Sequence, residues 1–190
     1  MPNFVRNRMK AKIFSVFISF TLTPLLAADT CREVVRDASG RIVQTIERQK
    51  SLGGTVQATT RDASGRIIGT ATTNTNTGGS AQTTYRDASG RMTGTAATQP
   101  STGASSRTTF RDASGRLNGS AETRVGDGSG SNTQYRGASG RLTGSSATSG
   151  SASRSLTGTQ RDASGRLIGS SSGTGNCQRG AIVPAATPTK

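Results

Sequence analysis

The chain has 190 residues, a formal net charge of +14, and neither histidine nor tryptophan. Without histidine and with only two cysteines, it excludes zinc sites of the usual ligand sets and every histidine-based catalytic triad. Aromatic residues make up 4% of the chain, which excludes an ordinary globular core of large side chains. What remains is either a disordered chain or a repeat structure held by backbone ladders.

The first 28 residues have the pattern of a secretory signal peptide. Four positive residues precede an apolar stretch that begins at Ile13, and Ala27 and Ala28 stand just before Asp29. The stretch falls short of the ~20 residues that a membrane span needs. We therefore expect cleavage near Ala28, a periplasmic or extracellular location, and no membrane-spanning segment in the mature chain. Cleavage removes the four positive charges and lowers the formal net charge from +14 to +10.

Residues 29–172 are organised by one motif that recurs every 25 residues. A fixed period means that each unit must fit against the next, so we predict an array of six units. The motif is RDASGR in five units and RGASGR in the fifth, at 36–41, 61–66, 86–91, 111–116, 136–141 and 161–166. The next position is aliphatic in every unit: Ile42, Ile67, Met92, Leu117, Leu142 and Leu167. Two positions further on stands a glycine in five units and Gln44 in the first.

The DASG part of each motif has the chemistry of a tight turn. In the third unit, Asp87 is placed to accept hydrogen bonds from nearby backbone, and Gly90 stands where a left-handed conformation costs least. Threonine-rich segments that favour strands lie on both sides. Each unit is therefore predicted to be a β-hairpin with a three-residue loop and a G1 bulge. In that register Asp87 and Arg91 flank the turn as an opposite-charge pair.

The predicted fold class is all-β, made of six tandem hairpins. The hairpins form a meander sheet, a barrel-like array or a short β-solenoid, and the period alone does not decide among them. An array of threonine-, serine- and glycine-rich strands with few large apolar residues has exposed end units that can pair with another copy, so self-association is one expectation. Residues 173–190 are expected to form a tail with a flexible end rich in proline and threonine.

Cys31 and Cys177 stand at the two ends of the array in a chain expected to reach an oxidising compartment. That context predicts a disulfide. Its Cα atoms must lie within ~7 Å of each other, whereas twelve strands of an open sheet separate its ends by roughly 50 Å. A bond within one chain therefore favours a closed array or a short solenoid, and a bond between molecules leaves the open sheet in place.

The hairpin core resembles the YD repeats of RHS-type secreted bacterial proteins, in which a tyrosine, an aspartate, a Gly-Arg pair and an aliphatic residue recur. The matching residues of the third unit are Tyr85, Asp87, Gly90, Arg91 and Met92. The resemblance implies a β-hairpin array in an extracytoplasmic bacterial protein, and it implies no activity. A looser similarity, in export, repetition and richness in Gly, Ser, Thr and Asn, is to the curli-type amyloid subunits.

Arginine is the remaining candidate for function. The motifs supply twelve arginines and five aspartates, a net charge of +7. Repeated arginines on a regular scaffold are suited to a polyanion such as acidic polysaccharide, lipopolysaccharide or extracellular DNA, or they simply keep the surface soluble. The candidate polyanion-binding residues are Arg61, Arg66, Arg86, Arg91, Arg111, Arg116, Arg136, Arg141, Arg161 and Arg166.

The sequence contains no catalytic constellation, and we expect no enzyme activity, no cofactor, no bound metal and no small-molecule substrate. Three aromatic residues in the mature chain are too few for a base-stacking platform, so a dedicated nucleic-acid target is not expected. The predicted function is a structural or interaction role at the bacterial envelope or outside the cell. The alternative function is a polyanion-binding module that uses the arrayed arginines.

Overall fold

The computed structural model describes residues 29–51, 53–126, 130–151 and 155–177. The predicted signal peptide and residues 178–190 of the predicted tail lie outside this part of the chain. Over the described ranges, no helix has the length and apolar character that a membrane crossing requires. The described chain forms twelve β-strands: β1 Asp29–Asp37, β2 Ile42–Lys50, β3 Val56–Asp62, β4 Ile67–Thr75, β5 Ala81–Asp87, β6 Met92–Pro100, β7 Ser105–Asp112, β8 Leu117–Val125, β9 Ser131–Gly137, β10 Leu142–Ser151, β11 Ser155–Asp162 and β12 Leu167–Gly175.

The twelve strands form one closed antiparallel barrel. Each strand pairs with its neighbours in the chain, and β1 pairs with β12 from Cys31 opposite Gly175 to Asp37 opposite Gly169. The all-β hairpin prediction is confirmed, and of the three predicted arrangements the barrel is the one that forms. Every one of these strands is paired on both sides, so the open edges on which self-association was predicted are absent from the barrel.

The predicted turn geometry is confirmed in detail. The Asp87 amide donates to the Arg91 carbonyl at 2.9 Å, and the Gly90 amide donates to the Asp87 carbonyl at 3.0 Å. Gly90 has a φ of +82°, and the equivalent glycines of the other five turns lie between +81° and +85°. The loop therefore contains three residues and ends on a left-handed glycine, as a G1 bulge requires.

The aspartate stabilises the turn through its side chain. Asp87 Oδ1 accepts three hydrogen bonds, from the Ser89 amide at 2.9 Å, the Ser89 hydroxyl at 2.6 Å and the Arg91 amide at 3.0 Å. Arg91 thus meets Asp87 through its backbone. The predicted side-chain ion pair does not form, because the carboxylate is already occupied by these local donors. Both ion pairs found among the described residues lie elsewhere.

A second irregularity follows each turn. Arg86 pairs with Met92, but Tyr85 pairs with Gly94, so Thr93 is an extra residue on its strand. The other five hairpins shift register at the equivalent place. Such a bulge interrupts the alternation of faces along a strand. The aliphatic residue after the motif is therefore exposed in all six units, although in units three to six it stands two positions before a buried glycine.

Small residues line much of the barrel interior. Two positions beyond each of the five strand glycines stands alanine or serine, and Ala96, Ala121, Ser146 and Ser171 are all buried. The aromatic residues that precede the middle motifs face glycine across their hairpins: Tyr85 opposite Gly94, Phe110 opposite Gly119 and Tyr135 opposite Gly144. Because glycine has no side chain, it leaves room for the large ring on the paired strand.

The recurring strand glycine is required by a close approach between units. A Cβ added at Gly69 would lie 2.9 Å from the Arg86 carbonyl oxygen of the next unit, and Gly94 makes the same contact with Arg111. At the closure, a Cβ at Gly169 would lie 2.6 Å from the carbonyl oxygen of Arg36. Unit six therefore contacts unit one in the same way as each unit contacts the next along the chain. The closure of the barrel uses the contact that recurs between the other units.

The predicted disulfide is confirmed and lies at this closure. Cys31 on β1 and Cys177, just after β12, are bonded with their Cα atoms 4.9 Å apart, and they span 146 residues of sequence. Both cysteines are buried and pack with Leu156 of β11. The bond joins the first and last units at the barrel end opposite the six turns.

Candidate interaction surface at the turn end

All six motif turns lie at one end of the barrel, because the strands alternate in direction and each motif joins an odd-numbered strand to the next. We call this end the turn face and define it by the motifs and the two residues after each of them. It comprises residues 36–43, 61–68, 86–93, 111–118, 136–143 and 161–168. The turn face contains all ten of the arginines predicted to bind polyanions, together with Arg36 and Arg41 of the first unit.

The first arginine of each motif is held by the turn. Nη1 of Arg86 donates to the Gly90 carbonyl oxygen at 2.8 Å, so its side chain folds across the loop. The same bond recurs in the other five units at 2.8 to 3.1 Å. These arginines satisfy a carbonyl that the left-handed glycine leaves exposed, and they have a structural role.

The second arginine of each motif presents its guanidinium group outward. All six are exposed: Arg41, Arg66, Arg91, Arg116, Arg141 and Arg166. Within the described chain, their side chains form neither a hydrogen bond nor an ion pair. Because an arginine that is not otherwise engaged can donate to phosphate or carboxylate, the second arginines are the better candidates for a binding role.

The turn aspartates remain charged beside these arginines. The hydrogen bond from the Ser89 hydroxyl is the largest cause that lowers the pKa of Asp87, and the two backbone bonds and the Arg91 charge add to it. The pKa values of the other four turn aspartates are lowered in the same way, first by their serine hydroxyls. The turn face thus carries twelve arginines against five carboxylates, a net charge of +7.

The turn face also carries all the exposed large apolar side chains found in the described chain. Their exposed fractions run from 40% to 50%, and they flank the turns: Ile42, Val43, Ile67, Ile68, Met92, Leu117, Leu142, Leu167 and Ile168. The sequence pattern identified the first aliphatic position of each unit but not its exposure. The bulge after each turn is the cause, and a period-two pattern does not show it.

The apolar side chains are unevenly distributed around the barrel. Units six, one and two are neighbours through the closure, and each has two aliphatic residues after its motif, whereas units three to five have one followed by Thr93, Asn118 or Thr143. We call the six aliphatic residues of the first group the apolar arc: Ile42, Val43, Ile67, Ile68, Leu167 and Ile168. An open groove of about 430 Å³ lies between the turns of units six and one, lined by Asp37, Ala38, Ser39, Asp162, Arg166, Leu167 and Ile168.

A second feature lies inside the barrel and was not predicted. Arg48 Nη1 donates to Glu33 Oε2 at 2.8 Å, and both side chains are largely removed from solvent. The other carboxylate oxygen of Glu33, Oε1, and the Tyr85 hydroxyl are buried, and neither has a hydrogen-bond partner within the described ranges. Burial raises the pKa of Tyr85 to about 12, and the nearby positive charge of Arg48 opposes part of that rise.

The interior group of Glu33, Arg48 and Tyr85 is explained by a structural role. Removing charged groups from water is costly unless they pair, and Glu33 and Arg48 pair beside the disulfide, since Cys31 stands opposite Arg48 in the register. Among the described residues, no three histidine, cysteine, aspartate or glutamate side chains gather where they could hold a metal ion. The turn face, rather than the interior, therefore combines exposure with unengaged charged groups.

Comparison with known proteins gives no relative: no family model, no curated protein and no solved structure matches the chain.

Proposed function

We propose that this protein is an exported interaction protein that works at the bacterial envelope or outside the cell, and that the turn face is its contact surface. The observation that supports the proposal is the segregation of side chains. Unengaged arginines and exposed aliphatic residues share one end of a closed barrel, and the remaining outward strand positions are mostly threonine, serine, glutamine and asparagine. An exposed apolar patch of this kind marks an interaction site more often than a random surface.

The barrel is suited to this role because it holds the face rigidly. Backbone pairing continues around the whole ring, and each turn is fixed by its aspartate and its first arginine. A surface that is already ordered loses little conformational entropy when it binds. The buried disulfide keeps the array closed in an oxidising compartment.

The test is retention of the exported, oxidised protein on isolated bacterial envelopes. Replacing the six second arginines by glutamine removes their charge and leaves each turn's backbone bonds in place, so retention is expected to fall sharply. Arg107→Gln with Arg124→Gln is the matched control, because both residues are exposed and lie away from the turn face. Equal retention of the two variants would exclude the turn face as the contact surface.

A second candidate function is binding of a soluble polyanion, and the exposure of the second arginines favours it. A site driven by arginine and phosphate or carboxylate contacts weakens steeply as salt increases, because bound counterions are released. A salt titration of binding to an acidic polysaccharide measures that slope. A slope near zero in the wild type, or an unchanged slope in the variant without second arginines, would reject this candidate.

A further inference from the structure

We infer that the turn face docks on an anionic lipid surface, with the apolar arc entering the headgroup region and the second arginines contacting lipid phosphates. This inference rests on the proposed function and names the target of the same face. It follows from the combination of positive charge and exposed apolar area on the turn face. Neither feature alone would support it.

The first step of the argument is the position of the apolar side chains. All nine exposed aliphatic residues lie within two residues of a motif, and each is between 40% and 50% exposed. A soluble polyanion offers charged groups but nothing apolar to cover such side chains. A lipid surface offers both, since its phosphates lie directly above the acyl chains, and interfacial binding grows with buried apolar area and with attraction to anionic lipids.

The second step is the charge beside the arc. Units six, one and two contribute six motif arginines and three motif aspartates next to their six aliphatic residues. Of these arginines, Arg41, Arg66 and Arg166 are exposed and not engaged by the turns. Each arginine close to an anionic leaflet is attracted to it. The excess of positive charge therefore complements a lipid surface with a net negative charge, and not a zwitterionic one.

The third step is the shape of the surface. The outermost residues of each turn are alanine, serine and glycine, so a small tip precedes the aliphatic and arginine side chains. Six such tips at one end of a barrel form a rim that can rest on an extended surface. The groove between units six and one is shallow and has two aspartates in its lining, which is unfavourable for enclosing a separate anion.

The experiment is flotation of the exported, oxidised protein with vesicles of phosphatidylglycerol and phosphatidylcholine, and with vesicles of phosphatidylcholine alone. We expect binding to the anionic vesicles, partial weakening by salt, and little binding to the neutral ones. The decisive variant is Val43→Thr, Ile68→Thr and Ile168→Thr. It gives the arc the residue type already present at Thr93 and Thr143, so the fold should tolerate it, and the partition coefficient should fall by roughly tenfold.

The matched control is Ala97→Thr with Ala147→Thr, which places the same residue type at exposed strand positions away from the turn face. It should leave vesicle binding unchanged. The lipid target would be replaced by a soluble polyanion under two conditions. The wild type and the arc variant would bind anionic vesicles equally, and both would bind polyphosphate with the same dependence on salt. If the wild type does not bind anionic vesicles but its envelope retention still depends on the second arginines, the lipid inference alone is overturned. If the wild type shows neither vesicle binding nor arginine-dependent retention, the proposed function is rejected as well.

Discussion

The closing hairpins and the four middle hairpins of the barrel are stabilised in different ways. Hairpins β1–β2 and β11–β12 contain Cys31, Glu33, Ile46 and Leu156, which are buried side chains that occur once each. Hairpins β3 to β10 have small buried residues such as Ala96 and Ala121, and they depend on repeated turns and on strand glycines in close contact with the next unit. The repeated turns and strand glycines therefore act all around the ring, and the closure adds unique contacts between residues far apart in sequence.

The largest expected effect comes from the disulfide. Replacing Cys31 and Cys177 together by serine removes a cross-link over 146 residues, and the chain-entropy model gives a loss of up to ~5 kcal/mol in the free energy of unfolding. Urea unfolding of the double variant and of the oxidised wild type measures the difference. A non-reducing peptide map of the wild type should give the Cys31–Cys177 peptide from monomer, and a Cys31–Cys31 dimer would contradict the assignment.

The buried ion pair should rank second. Glu33→Gln leaves the largely buried Arg48 charge without its carboxylate, and the loss is expected to be about 3 kcal/mol, the lower end of the range for broken buried pairs. The control is Glu122→Gln, which breaks an equally short pair with Arg124 on the solvent-exposed surface. That change should leave the free energy of unfolding nearly unchanged, because solvent screens an exposed pair. Equal losses in the two variants would show that the interior pair is not excluded from solvent.

A middle hairpin should lose stability when a strand glycine can no longer lie close to the backbone of the next unit. Gly94→Ala forces a methyl group against the Arg111 carbonyl oxygen, and we expect a loss of ~2 kcal/mol from the resulting backbone shift. Because the units repeat, Gly119→Ala should give nearly the same value. Gly78→Ala is the control, since a Cβ there meets nothing within 4 Å and φ is not positive. A silent Gly94→Ala would mean that neighbouring units are further apart than described.

The smallest expected effect is on the turns at acidic pH. Because hydrogen bonding lowers the pKa of Asp87 below its ordinary value of 3.8, the carboxylate stabilises the turn above that pH and loses this effect as pH falls through the folded-state pKa. The Ser89 amide resonance should therefore shift on acidification. Unit five supplies the control within the same molecule, because Gly137 replaces the aspartate and Ser139 has no carboxylate to report. An equal shift at Ser139 would contradict the assignment.

The difference between the two regions also explains what the sequence predicted. The turns were predictable because Asp87 and Gly90 form a local motif whose bonds involve neighbouring residues only. The exposure of Met92 was not predictable. The bulge at Thr93 interrupts the alternation of faces along the strand, and no residue type next to it signals that bulge. The pairing of Glu33 with Arg48 was hidden for another reason: the first unit keeps the register of the repeat, but it alone has charged residues at these two positions.

Closure of the barrel by β1 and β12 is the central claim, and residue-resolved hydrogen exchange along β1 tests it most directly. In an antiparallel sheet, successive amides of one strand point to opposite neighbours, so a strand paired on both sides protects consecutive amides. The oxidised protein should therefore protect every amide from Arg32 to Arg36, which lie between β2 and β12. Protection of alternate amides only, with rapid exchange of the others, would show that β1 is an edge strand and that the array is open.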